Sequence, residues 1–209
     1  MIAHFVQGFW VSFGLIVAIG AQNAHVLKQG LLKQHVFWVC LLCFVCDALL
    51  MSAGVLGLGS LIKQSQIATL ALAVIGAVFL FWYGARSFGS AYRGGATLSI
   101  QDGQGKQTFK KAIATTLALT LLNPHVYLDT LILVGSIASP LAFGQKFWFL
   151  GGAMLASGLW FFGLGYGARL LIPLFSKPKT WQILDAFIGA VMWVIAIGLI
   201  RYAYRIWWG

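Results

Sequence analysis

Long apolar runs, broken by short polar stretches, make up almost the whole chain. A helix that crosses a bilayer needs about 20 mostly apolar residues. Six runs meet that need, at roughly 5–27, 36–62, 67–86, 112–137, 147–168 and 181–201. The predicted fold is an all-α integral membrane protein with six transmembrane helices, in a single transmembrane domain over residues 1–209. The first run has no basic segment before it, and Gly20-Ala21-Gln22-Asn23 does not look like a signal-peptidase site. It reads as a permanent span. The one sizeable loop, 87–111, is rich in glycine and polar residues and reads as a flexible linker. A shorter loop holds Pro173, Lys177, Pro178 and Lys179.

Composition supports this and removes the alternatives. Hydrophobic residues make up 60% and charged residues 9% of the 209, against about 45–50% and about 25% in soluble domains. Mean hydropathy is +0.89. A soluble fold lacks the charged skin it would need, and disorder and a disulfide scaffold fail on the apolar mass and on only 3 Cys. There is no room for a separate catalytic domain, so an enzyme is not expected.

Fourteen Lys and Arg face four acids, all Asp, for a net charge of +10. The basic residues sit at the ends of apolar runs, as membrane anchors do, which argues against nucleic acid and for lipid as the partner. Connections 1–2, 3–4 and 5–6 hold ten of them, from Lys28 to Lys179, and the other side holds Lys63, Lys146, Arg201 and Arg205. The positive-inside rule then puts 87–111 in the cytoplasm and both termini outside. Arg201 and Arg205 alone argue the other way.

Two short matches suggest duplication. Asn23-Ala24-His25-Val26 recurs as Asn123-Pro124-His125-Val126, and Ile75-Gly76-Ala77-Val78 as Ile188-Gly189-Ala190-Val191. The first pair falls in spans 1 and 4, the second in spans 3 and 6. Halves of three spans, 1–86 and 112–209 around the linker, enter the membrane from opposite sides. Such inverted repeats are common in secondary transporters; chance matching among apolar residues is the competing explanation.

Polar residues at depth are the candidates for chemistry, because an Asp at a helix centre costs about 2.5–3.5 kcal/mol on insertion scales. Asp47 lies mid-span 2. Asp129 lies in span 4 behind Asn123-Pro124-His125-Val126-Tyr127, where Pro124 removes a backbone donor and frees carbonyls. Gln22 and Asn23 offer amides beside the helix-weakening Gly20. His25 and His125 suit a proton relay. The alternatives are a protonated Asp47 bonded to a neighbouring helix, a tolerated Pro kink with polar glue at span 4, and a surface helix end at Gln22-Asn23. Asp185 reads as an interfacial or helix-start acid and Asp102 as a solvated loop residue. Cys40, Cys43 and Cys46, three apart on one face of span 2, suit a soft metal or redox chemistry, or plain packing by small apolar residues. Gly76, Gly84, Gly151, Gly152, Gly163, Gly165 and Gly167 suit close helix contact, and Trp207 and Trp208 an aromatic belt. No nucleotide loop, metal motif or nucleophile–base set stands out, so no cofactor or bound metal is expected.

Together, Gly20-Ala21-Gln22-Asn23 with Gln29-Gly30 behind it, Asp47, and the stretch Asn123-Pro124-His125-Val126-Tyr127-Leu128-Asp129-Thr130 resemble the lysine/arginine exporters (LysE/ArgO type) of bacterial inner membranes. The likeness covers essentially the whole chain. Ala21 stands where the family usually has proline. The resemblance implies export of arginine, lysine or close analogues driven by the proton motive force. Gln22, Asn23, Asp47, Asn123, Pro124, Tyr127 and Asp129 would then form the substrate and proton site. A homo-oligomer is compatible with this. A metal-cation exporter of the same superfamily and a membrane thiol-redox protein are the rival readings.

Overall fold

A computed structural model describes residues 1–17, 20–57, 66–93, 107–176 and 178–208. Asp102, Lys63, Lys177 and the middle of the expected linker, 94–106, lie outside the described residues, as do the side chains of Pro124, His125, Trp207 and Trp208. Among the described residues there is no strand. The helices are α1 (Ile2–Ile16), α2 (Ala21–Leu32), α3 (Val36–Val55), α4 (Gln66–Arg93), α5 (Phe109–Leu121), α6 (Pro124–Tyr127), a π-helix (Leu128–Leu133), α7 (Val134–Ala138), α8 (Phe143–Gly167), a 3-10 segment (Ala168–Ser176) and α9 (Pro178–Trp208).

By length and hydropathy three of these can cross a membrane: Val36–Val55, Phe143–Pro173 and Lys179–Arg205. A fourth crossing follows if α1 and α2, bent by 83° to one another, act as one broken span. Helix α4, with 28 residues, is about 42 Å long at 1.5 Å per residue. The core is apolar, but so is much of the outer surface, and several polar residues are buried. Trp10, Leu49, Val78, Leu159 and Val194 are exposed, while Asn23, Asp47, Thr120, Asn123, Ser157 and Asp185 are buried.

Several expected boundaries need correction. Spans 1 and 4 are not continuous helices. Span 1 divides before Gly20, which has extended backbone and caps α2. Span 4 divides at Leu122-Asn123, and Pro124, lacking an N–H, opens the next helix rather than kinking one. The expected linker is helical at both ends, because nothing before Gly94 breaks α4 and Phe109-Lys110-Lys111 already belong to α5. The expected loop at Pro173 is 3-10 helix. A left-handed Lys33, φ 54°, ends α2 with its N–H on the Gly30 carbonyl and the Gln34 N–H on that of Gln29, a Schellman turn.

Packing follows a regular plan. α1 and α2 lie on α8, and α5, the π-helix and α7 lie on α3. α3 crosses α8, and α4 runs along α9; α2 touches α9 as α6 touches α4. Glycines set the close crossings. A Cβ on Gly30 of α2 would lie 2.2 Å from the Gly165 carbonyl oxygen of α8, and one on Gly135 of α7 would lie 2.6 Å from that of Gly54 in α3. Gly8 and Gly152 do the same between α1 and α8, and Gly76 meets the Leu122 carbonyl. Gly163 and Gly167, expected at contacts, have open space where a Cβ would be.

Candidate functional site

The two helix breaks meet at one cavity. Its volume is about 280 Å³, and its lining includes Gln22, Asn23, Asp47, Asn123, Asp129 and Thr130, with Met51, Phe161 and Ile195 as apolar walls. The lining comes from the start of α2, the middle of α3, the α6–π-helix stretch and the middle of α9, with Leu15 and Ile16 of α1, Val134 of α7 and Phe161 of α8. Breaking a helix in an apolar setting strands backbone groups, which must find other partners. Here side chains just past each break supply them. The Asn23 amide donates to the Ile16 carbonyl at 2.7 Å, and the Tyr127 hydroxyl donates to the Leu121 carbonyl at 2.9 Å. The first residue of each pair follows its acceptor by seven and six positions.

Asp47 is 3% exposed and accepts a 2.9 Å hydrogen bond from the Ser157 hydroxyl of α8. Asp129 is half-buried on the π-helix. A π-turn widens the backbone and rotates the following side chains, and it recurs at functional sites. Asn23 also accepts from the Trp160 indole at 3.1 Å, which fixes its amide in the break. Gln22 brings to the same space a buried amide nitrogen with no hydrogen-bond partner among the described residues, and Gly20, which has no side chain to cap α2, lines it together with Ala21.

Of the residues singled out by sequence, Gln22, Asn23, Asp47, Asn123 and Asp129 line the cavity. Tyr127 does not; its hydroxyl closes the helix break. His25 sits two residues beyond Asn23 on α2, 2% exposed, between Tyr83 and Thr116. The Thr116 hydroxyl donates to the Ala112 carbonyl, so the His25 Nε2–H donates to Thr116 and Nδ1 accepts from Tyr83. Cys40, Cys43 and Cys46 are free and buried, and none is in the cavity lining. Cys40 donates to the Phe161 carbonyl at 3.1 Å and packs under Gly165. Among the described residues no three His, Cys, Asp or Glu side chains gather to hold one metal ion.

One polar group is more enclosed than its place in the sequence implies. Asp185, expected as an interfacial or helix-start acid, is covered by protein: it is 1% exposed and forms an ion pair with Lys28 of α2, while the Ser90 hydroxyl of α4 donates to its other oxygen at 2.6 Å. Its place near the start of a predicted span suggested water. No local signal shows that α2 and α4 cover it, since Lys28 is 157 residues away in the chain.

The LysE type translocator family matches residues 13–203 of the chain. The arginine exporter protein ArgO of Pectobacterium atrosepticum is 39% identical over 98% of this chain and 100% of its own length. ArgO of Pectobacterium carotovorum is 38% identical over the same shares, and ArgO of Salmonella typhimurium is 40% identical over 96% of this chain and 95% of its own. No solved structure matches.

Proposed function

The chain belongs to the LysE type translocator family, and from that premise we propose that it exports arginine, and lysine as a close analogue, from the cytoplasm across the bacterial inner membrane. The observation that carries this reading is the cavity at the two helix breaks. It joins two carboxylates, Asp47 and Asp129, to the amides of Gln22, Asn23 and Asn123 and to the start of α2. A volume near 280 Å³ sits at the small end of ligand pockets, which run from about 300 to 1,000 Å³, and suits one amino acid. The carboxylates suit a guanidinium or ammonium head. The Gln22 amide and the α2 N–H groups suit an α-carboxylate.

Charge at this depth is costly. In this mechanism a cationic substrate neutralises Asp47 and Asp129 while it is bound, and a proton replaces it on the return. Substrate and proton then compete for the same carboxylates, and the proton gradient drives export. The protein is a carrier rather than an enzyme.

The packing plan supports two inverted three-helix halves, 1–86 and 112–209. Exchanging the halves exchanges α2 on α8 for α7 on α3, together with their glycine pairs, Gly30–Gly165 for Gly135–Gly54. It leaves the α3–α8 and α4–α9 crossings in place. That connections 1–2 and 3–4 share one side is supported by the Gln107 backbone, just before α5, which meets Gln34 and His35 of the α2–α3 turn; the basic residues suggest that this side is the cytoplasm.

The test is counterflow of labelled arginine, lysine, leucine and a divalent metal ion in proteoliposomes. Exchange of the two basic amino acids alone is expected. Equal exchange of leucine, or exchange of the metal alone, would overturn the reading. Replacement of Cys40, Cys43 and Cys46 by Ser is expected to leave arginine exchange intact, where a metal or thiol-redox role would lose it.

A further inference from the structure

Below the cavity, α2 carries a second polar layer that the transport cycle above does not use. Asn23 lines the cavity, His25 is two residues further, and Lys28 is five residues on, about 7.5 Å along the helix at 1.5 Å per residue. On α9 the same descent runs from Ile195 at the cavity to Asp185. At this level Lys28 pairs with Asp185, and Ser90 of α4 holds the other carboxylate oxygen. The three residues come from α2, α4 and α9, and each lies near one of the ends assigned above to the cytoplasm. The pair therefore ties the half-helix α2 to the α4–α9 pair between the cavity and that side.

The two partners differ in exposure. Asp185 is almost fully buried and is satisfied from two sides, whereas Lys28, the cation on it, keeps 21% of its side chain exposed. A lysine ammonium on a flexible stem is chemically close to the head of the proposed cargo. We propose that Asp185, with Ser90, is a docking site for the substrate's guanidinium or ammonium group on the cytoplasmic side of the path, occupied in this conformation by Lys28. An arriving cation displaces Lys28 from Asp185, and α2 is released from α4 and α9 as the cavity opens toward the cytoplasm. This rests on the exporter function proposed above.

The two partners then act with opposite signs. Lys28→Gln removes the tethered competitor and leaves the docking carboxylate, so KM for arginine presented at the cytoplasmic face should fall several-fold. Asp185→Asn removes the site, and KM should rise by about tenfold, the loss expected of one charge-assisted contact worth about 1.4 kcal/mol. A purely structural ion pair is broken equally by either change, and both variants would shift in the same direction. The measurement is arginine uptake into inside-out vesicles, normalised to protein in the membrane. The charge-swapped Lys28→Asp/Asp185→Lys variant restores the tie, so it should fold even where a single variant does not. It should still show the raised KM, because a lysine now faces the cargo. Wild-type KM in the swap, or shifts of the same sign in the two single variants, would overturn the docking site. A parent protein that moves no arginine at all would instead overturn the exporter reading.

Discussion

Asp47 and Asp129 reach one cavity from different backbones, and their surroundings suggest separate duties. Asp47 sits on a regular helix, closed in and held by Ser157. Asp129 sits on a π-helix, half-open to the cavity. If both carry the cycle, Asp47→Asn and Asp129→Asn should reach the membrane yet lose proton-coupled export at least about tenfold, the scale on which one intramembrane charge matters. Transport against a pH gradient checks this, and wild-type rates in both variants would reduce the carboxylates to helix glue. Tyr127 carries a different expectation. Its hydroxyl satisfies the Leu121 carbonyl at the break, so Tyr127→Phe should cost about 1–3 kcal/mol of stability. Its KM for arginine should stay near the parent value. Thermal unfolding in detergent and a transport assay on the same preparation separate the two effects.

At the scale of the element, the unit that matters is the half-helix. α2 and the α6–π–α7 stretch each start at the centre of the molecule and run outward, and each is held by a glycine contact near its far end. These contacts are backbone against backbone and leave no room for a side chain. Gly135→Leu and Gly30→Leu should therefore both separate their helices and lose fold, at an overpacking cost of about 1–3 kcal/mol or more. Gly163→Leu, on the same α8 as Gly165 but facing open space, should be tolerated. Expression and monodispersity in detergent report the difference. Equal tolerance at Gly30 and Gly163 would remove the close crossing from the account.

For the whole molecule, the expectation that remains is orientation. Ten basic residues against four predict a cytoplasmic 87–111 connection. In a variant without its native cysteines, Gly95→Cys and Gly105→Cys should resist impermeant thiol reagents in intact cells and label once the cells are opened. Ready labelling in intact cells, with control positions behaving, would invert the topology and move the Lys28–Asp185 layer to the outer face.

Much of this was legible in the sequence because a bilayer simplifies the rules. Uninterrupted apolar length reveals helices such as α3, α8 and α9, whose ends agree with the apolar runs to within several residues. Cost at depth singles out Asp47 and Asp129, since a charge there demands a reason. What one-dimensional reading missed depends on partners far along the chain. A broken helix and a continuous polar-flecked one look alike until the stranded carbonyls of Ile16 and Leu121 are seen to be met by Asn23 and Tyr127. The π-turn at Asp129 has no compositional mark. Asp185 looked like a helix-start acid because burial is a property of what covers a residue, and Lys28 and Ser90 cover it from two other helices. Apolar length and composition alone were enough for an apolar solvent, a helical class and a short set of polar residues costly at depth. Which of those residues share a space depends on where helices break and cross, and long-range contacts fix both.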